Sequence, residues 1–200
     1  MNTPKRCFWV DGSELYNAYH DHEWDRPVID DIRLFEKISL EGFQAGLSWI
    51  TILRKRENFR AAFDGFDFHK VASYDVSDVE RLLLDAGIVR HRGKIEAVIH
   101  NAGRAIEMQR ELGSLAKYFW QFEVDTSQRP KKLTAEILRT LTTSPEAIAM
   151  SKDLKRRGWK FVGPTTMYAF MQAMGLVNDH QHDCHMRGEI GSLRSALVVP

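Results

Sequence analysis

The sequence predicts an all-α fold, and three observations support this prediction. Apolar residues recur at helical spacing through most of the 200 residues. Residues typical of helix starts and stops flank these segments. The only strand-like runs, 71–74 and 122–124, are too short to build a sheet. Hydrophobic residues make up 44% of the chain, which is enough for a core. We therefore predict one helical unit over 1–200 with two lobes, whose boundary the sequence does not place.

Five segments carry the helical pattern in chain order. They are 32–42, 47–63, 77–87, 94–108 and 145–157. Ser77 to Glu80 has the form of a capping box that opens the third helix. Ser144 is a typical N-cap, and Pro145 suits the first helical position. Gly158 then provides a left-handed stop for the fifth helix.

The segment Gly158 to Pro164 predicts a tight hairpin between two helices. Its two glycines let the backbone approach a ligand closely. The second helix begins at Pro164 and offers unpaired N–H groups and a positive dipole end, which suit a phosphate. Segment 151–160 carries five basic residues and one acidic residue, so a net charge of only +1 does not exclude nucleic acid. An ordinary hairpin, with glycines serving only the turn, explains the pattern as well.

Two pairs of residues near opposite ends of the chain could bind a metal. His180 and Cys184 are four residues apart and can face the same way. Cys7 and His20 would complete a Cys2His2 set for tetrahedral zinc. The wide separation is unlike that of a compact zinc finger, and two unrelated buried thiols remain an alternative. Equivalent imidazoles lie nearby in the sequence, at His22, His182 and His185.

The first fifty residues are rich in aromatic side chains. Among their carboxylates, Glu41 stands out because it lies within a mostly apolar stretch. Such a segment is more often core than pocket. An unpaired carboxylate is costly to bury, so Glu41 reaches solvent, pairs with a basic group or meets a cationic ligand. A base methylated at a ring nitrogen is such a ligand, and aromatic faces attract cations.

Longer motifs resemble those of the 3-methyladenine DNA glycosylase I family, within the helix-hairpin-helix superfamily. The motifs are Arg6-Cys7, Tyr19-His20-Asp21, Glu23-Trp24, 40–42, 44–50, 87–95, 161–163 and 175–180. The likeness covers roughly residues 5–185. It implies a helix-hairpin-helix glycosylase fold in which one structural zinc ion joins the N- and C-terminal segments. The implied ligands of this ion are Cys7, His20, His180 and Cys184.

The resemblance also implies a role for individual residues. Glu41 corresponds to the carboxylate that recognises 3-methyladenine, and we assign catalysis to it. The implied base pocket comprises Tyr19, Trp49 and Trp9. The implied DNA contacts are Leu47, which fills the space of the flipped base, and Gly158, Lys160, Val162, Gly163, Thr165 and Arg157. Asp179 follows the hairpin, where many relatives in the wider superfamily have a catalytic aspartate, and we interpret it as orienting His180. The tail 186–200 has no family match and is expected to be mobile.

The expected activity is hydrolysis of the N-glycosidic bond of 3-methyladenine in double-stranded alkylated DNA. The free base is released, an abasic site remains and no strand cleavage follows. Two alternatives are a non-catalytic protein that binds alkylation damage and a zinc-dependent hydrolase. No apolar run approaches the roughly 20 residues of a membrane span, and no signal-peptide core is apparent. We therefore expect a protein of the bacterial cytoplasm, associated with the nucleoid when acting. We also expect it to be a monomer.

Overall fold

A computed structural model describes residues 4–199. Over this range the regular elements are all helical and no strand occurs, which confirms the predicted fold class. The α-helices are α1 (Glu14–His22), α2 (Asp31–Gln44), α3 (Trp49–Ala62), α4 (Phe68–Val71), α5 (Val76–Leu84), α6 (Arg92–Leu112), α7 (Leu115–Phe119), α8 (Ala135–Thr140), α9 (Pro145–Arg156), α10 (Pro164–Ala173) and α11 (Arg187–Ala196). None of these helices is long and apolar enough to cross a lipid bilayer.

Helix α2 is the centre of the molecule. It packs against α3, α6, α7 and α10, and every residue from Leu34 to Phe43 is buried. Phe43 contacts Phe59 of α3, with ring centroids 4.6 Å apart. Burying large aromatic side chains of this kind contributes a major part of the stability of a core. A polar group on α2 therefore has few ways to reach water, which matters for Glu41.

Most helix boundaries follow local sequence signals, but α5 does not begin at the predicted N-cap, Ser77. The N-cap is Asp75, whose carboxylate accepts hydrogen bonds from the Ser77 and Asp78 N–H groups. Asp78 reaches back to the Asp75 N–H and completes the capping box. The prediction of a box at Ser77 was wrong because two overlapping segments, 75–78 and 77–80, both have the capping-box pattern, and the first of them forms the box. At α9 the predicted Ser144 cap is confirmed, and Gly158 is left-handed with φ +84°.

The tail after Cys184 contains helix α11, which was not predicted from the sequence, and neither were α1, α4, α7 and α8. Ile190 is fully buried, and Arg194 donates hydrogen bonds to Glu123 and to the Leu176 carbonyl. The segment is short and has few apolar residues, so its pattern did not predict a helix. Its stabilising partners are distant in sequence and could not be foreseen. The expected mobility of 186–200 stays a prediction.

Candidate active site and metal centre

Four potential metal ligands from opposite ends of the chain meet in one buried cluster. Cys7 precedes α1, His20 lies on α1, and His180 and Cys184 lie between α10 and α11. Their ligand atoms all lie within 4.8 Å of one another. The Cys7 and Cys184 sulfurs are each 3.4 Å from His180 Nδ1, and Cys184 Sγ is 3.5 Å from His20 Nε2. This donor set is one that binds a metal, and it joins the two terminal segments as predicted.

The surroundings of the cluster orient its ligands. Asp21 Oδ1 lies 2.7 Å from His20 Nδ1, which leaves His20 Nε2 to face the sulfurs. Although burial opposes it, hydrogen bonds from Arg6 and His20 lower the pKa of Asp21 to about 2. A hydrogen bond with Cys184, together with burial, raises the pKa of the Cys7 thiol, and the same hydrogen bond lowers the pKa of Cys184. The thiolate is the form of cysteine that binds metal.

The alternative imidazoles lie outside the cluster. His182 Nδ1 lies 3.0 Å from the Leu133 carbonyl oxygen and His185 Nδ1 lies 3.0 Å from the Lys5 carbonyl oxygen, whereas His22 is exposed. Tertiary structure therefore resolves the ambiguity that spacing left open.

Asp179 does not orient His180, and that interpretation was wrong. Its carboxylate accepts hydrogen bonds from Arg129, Tyr168 and Gln172. The segment is not helical, so neighbouring side chains diverge. Asp25 lies on the His180 side instead, with its Oδ2 4.0 Å from His180 Nε2. Burial raises the pKa of Asp25 well above its ordinary value.

A cavity of about 300 Å³ lies beside the cluster and is lined largely by aromatic side chains. The predicted pocket residues Trp9, Tyr19 and Trp49 all line it, together with Glu41. The other lining residues were not predicted as part of a base pocket; they are Phe8, Tyr16, Trp24, Gln44, Leu138, Leu141, Ala169, Gln172 and Asp179. The Trp9 ring centroid is 5.4 Å from that of His20, so the metal cluster and the cavity share a wall.

Glu41 is buried and paired with Lys37, one turn earlier on α2. Lys37 Nζ lies 3.0 Å from Glu41 Oε1 and donates a hydrogen bond of 2.9 Å to the Tyr19 hydroxyl. The same ammonium lies 3.3 Å from the centroid of the Trp49 ring. Burial lowers the pKa of Lys37, and Glu41 opposes that shift. Lys37 was not among the predicted site residues, although its i, i+4 spacing to Glu41 was a usable signal.

The predicted wedge residue Leu47 lies in the turn between α2 and α3 and is 42% exposed. Gly46 in this turn has φ +83°, a conformation that favours glycine. The buried Lys94 donates hydrogen bonds to the carbonyls of Phe43 and Ala45. A cation at this position satisfies carbonyls left free at the C-terminal end of α2 and fixes the turn. Lys94 lies in the 87–95 motif, but nothing local in the sequence indicated its partner.

The hairpin joins α9 to α10 and is clamped onto α6. The Lys160 N–H donates to the Asn101 side chain, which in turn donates to the Lys160 carbonyl, both at 2.9 Å. Phe161 at the tip has φ +57° and is 41% exposed. Gly163 is the N-cap position of α10. The side chains of Lys160 and Thr165 are exposed, whereas that of Val162 is buried, so Val162 offers only its backbone.

Arg157 lies beside the hairpin but is already paired. Its guanidinium donates hydrogen bonds of 2.8 Å to Glu111 and to Asp153. The hydrogen bond with Glu111 is the main reason that the pKa of Arg157 is raised. Its positive charge is thus largely compensated, unlike that of Lys160.

Comparisons with known proteins agree with this geometry. A family model described as methyladenine glycosylase matches residues 9–187. The chain is 52% identical over 181 residues to DNA-3-methyladenine glycosylase 1 of Escherichia coli, covering 90% of this chain and 95% of that protein. A crystal structure of a 3-methyladenine DNA glycosylase I superposes with a TM-score of 0.83 at 48% identity, covering 90% of this chain and 98% of the other. A second, in complex with 3-methyladenine, superposes with a TM-score of 0.80 at 34% identity, covering 91% and 97%.

Proposed function

The chain belongs to the methyladenine glycosylase family, and on that premise we propose that it removes 3-methyladenine from alkylated DNA. The observation that carries this function is the aromatic cavity with the buried carboxylate of Glu41 in its wall. The protein is a monofunctional glycosylase. In keeping with this, no lysine of the described residues lines the cavity, and Lys37 behind it is held by Glu41. Within the described residues, the cavity therefore offers no amine for a Schiff-base step.

Cleavage of the N-glycosidic bond needs little general acid catalysis, because methylation of the base already weakens that bond. The flipped base stacks against Tyr19, Trp49 and Trp9, while Glu41 accepts hydrogen bonds from its edge. The C1′–N9 bond breaks and both electrons stay on the base, which leaves neutral. Positive charge develops on the sugar, where water adds at C1′ and releases a proton. The residues chiefly flip, orient and desolvate the base.

Two surfaces are proposed to hold double-stranded DNA. Leu47 projects from its turn and fills the space left by the flipped base, at an unstacking cost of a few kcal/mol. The hairpin binds backbone phosphate through the start of α10 at Gly163 and Thr165, through the backbone at Gly158 and Val162, and through Lys160. Arg157 contributes less, because Glu111 and Asp153 already compensate its charge.

We assign one structural zinc ion to the Cys7, His20, His180 and Cys184 cluster. Zinc–sulfur and zinc–nitrogen bonds of about 2.3 and 2.0–2.1 Å imply sulfur-to-nitrogen edges of roughly 3.5 Å in a tetrahedron. Three sulfur-to-nitrogen separations in the cluster, from Cys7 and Cys184 to His180 and from Cys184 to His20, are 3.4–3.5 Å and fit this value. Four protein ligands leave no position for substrate or water, so the ion would supply a cross-link between the termini. This argues against a zinc-dependent hydrolase.

The base-release assay tests the function directly. Purified protein is incubated with DNA treated with a methylating agent, and the released bases are separated by chromatography. We expect free 3-methyladenine in molar excess over protein, with no strand breaks at the resulting abasic sites. Tight binding without release would instead support a non-catalytic damage-binding protein. We further propose that the protein acts as a monomer in the bacterial cytoplasm, on DNA of the nucleoid.

Lys160→Ala is expected to weaken DNA binding several-fold regardless of sequence. Each lost phosphate contact lowers the slope of log K against log salt by about 0.9. The measurement is fluorescence anisotropy of a labelled duplex at several salt concentrations. Lys70→Ala is the matched control, because Lys70 is an exposed lysine on α4. A slope equal to that of the unmodified protein would remove Lys160 from the DNA surface.

A further inference from the structure

An arginine with no role in the proposed reaction lies at the rim of the base cavity. Arg139 is exposed on α8, and its guanidinium carbon lies 4.5 Å from the centroid of the Phe8 ring. Phe8 lines the cavity and is 39% exposed, so this residue belongs both to the cavity wall and to the protein surface. Leu138 and Leu141, on either side of Arg139 in the sequence, line the cavity as well. Arg139 is therefore located where the cavity opens to solvent.

The charge of Arg139 is not neutralised by an ion pair with any carboxylate of residues 4–199. On α9 a one-turn spacing pairs Arg156 with Asp153. On α8 Glu136 has the same spacing to Arg139, but the two side chains do not pair. A hydrogen bond from the Thr134 side chain is the main reason that the pKa of Glu136 is lowered. Arg139 thus presents its positive charge at the cavity rim.

The ring beneath Arg139 and the start of its helix are both held in place. The Phe8 N–H donates a hydrogen bond to the side chain of the buried Gln181. Leu133, just before α8, is fully buried, and its carbonyl accepts a hydrogen bond of 2.9 Å from the His182 N–H. A planar guanidinium that stacks on a fixed ring is already oriented, so it loses less conformational freedom when it binds a ligand.

A nucleotide whose base enters this cavity must bring phosphate to the rim. Its base is joined to the flanking phosphates through a single sugar, so these phosphates stay close to the cavity mouth. Gln44 lines the cavity, and Leu47 projects from the turn three residues later, so DNA that meets Leu47 lies against the same mouth. A guanidinium binds phosphate oxygens through two parallel N–H donors, which makes arginine well suited to this ligand.

We propose that Arg139 binds a phosphate next to the flipped nucleotide and thereby recognises its extrahelical position; this inference rests on the proposed function. In stacked DNA that phosphate follows the regular backbone and does not reach the rim. Rotation of the nucleotide out of the helix brings the phosphate to Arg139. The contact forms only after flipping and so stabilises the flipped state against return to the stack. The hairpin, in contrast, holds the backbone in both states.

The test compares an undamaged duplex with one that carries a single tetrahydrofuran abasic-site analogue, which turns out of the helix without breaking a base pair. Fluorescence anisotropy gives both dissociation constants for the unmodified protein and for Arg139→Gln. We expect Arg139→Gln to bind the abasic duplex about tenfold more weakly and the undamaged duplex within about twofold of the unmodified protein. Its affinity for free 3-methyladenine, measured by tryptophan fluorescence quenching, should not change.

Neutralising one phosphate at a time identifies the contact. Two further abasic duplexes carry an uncharged methylphosphonate on the 5′ or the 3′ side of the abasic nucleotide. At one of these positions the unmodified protein should lose affinity and Arg139→Gln should not, because its contact is already gone. Losses that combine independently at both positions overturn the proposal. So does an equal effect of Arg139→Gln, or no effect, on the damaged and undamaged duplexes.

Arg81→Gln is the matched control. Arg81 is an exposed arginine on α5, and its guanidinium carbon lies 5.5 Å from the centroid of the Tyr74 ring, which does not line the cavity. This variant should keep the preference of the unmodified protein for the abasic duplex. Failure of the glycosylase proposal shows separately, as no release of 3-methyladenine from methylated DNA by the unmodified protein.

Discussion

Glu41→Gln is expected to lower the affinity for free 3-methyladenine by roughly 10- to 100-fold while the protein stays folded. The amide keeps the size of the carboxylate but loses its charge, and hydrogen bonds to charged groups contribute about 1.5–3 kcal/mol. Release of the base from methylated DNA should fall at least as much, because the same contact orients the base for cleavage. Tryptophan fluorescence quenching gives the affinity, and single-turnover base release gives the rate.

A matched control exists on the same helix. Glu36 has the same 5% exposure as Glu41, but it pairs with Arg60 and does not line the base cavity. Glu36→Gln should lower thermal stability without changing the affinity for 3-methyladenine. Equal loss of affinity in both variants would mean that Glu41 acts through general stability, and unchanged affinity in Glu41→Gln would remove its role in recognition.

Cys184→Ser is expected to abolish metal binding and to lower the melting temperature by about 10 °C. The cluster ties the N-terminal segment to the segment before α11, so losing the cross-link frees both ends of the chain. If losing this cross-link costs about 2–5 kcal/mol, as loss of a native disulfide does, the melting temperature falls by roughly 4–20 °C for a domain of this size. Metal content is measured by mass spectrometry and unfolding by circular dichroism.

The fate of activity in this variant distinguishes a structural ion from a catalytic one. Trp9 shares a wall with the cluster, and His20 follows Tyr19 directly, so the base cavity should lose shape as the cluster opens. We expect activity to fall in parallel with folded structure. His182→Ala is the control, since that imidazole lies by the Leu133 carbonyl outside the cluster. Full folding with complete loss of activity would instead point to an open catalytic metal site.

The metal cluster shows how much of a ligand set the spacing of residues in the sequence can predict. His180 and Cys184 are close in sequence, so their pairing was readable, but nothing local connects them to Cys7 and His20. The family resemblance supplied that link, and the fold brings the four donors within 4.8 Å. The interpretation of Asp179 was wrong because closeness in sequence did not mean contact in the fold. Adjacency in sequence suggested a contact with His180, whereas its carboxylate is held by Arg129, Tyr168 and Gln172.

Local signals determined the helical class, the approximate positions of α2, α3, α5, α6 and α9, the hairpin with the start of α10, and the family. Periodicity, capping residues and motifs are properties of neighbouring residues. Tertiary structure alone decided which imidazoles join the cluster, that Lys94 holds the Leu47 turn and that α11 packs on 123–124 and 176. It also decided the environment of Glu41. Its partner Lys37 is one turn away in sequence, but only the packing of Tyr19 and Trp49 around that ammonium makes the pair part of a base cavity. Burial and charge compensation depend on residues distant in the chain, and a linear pattern does not contain them.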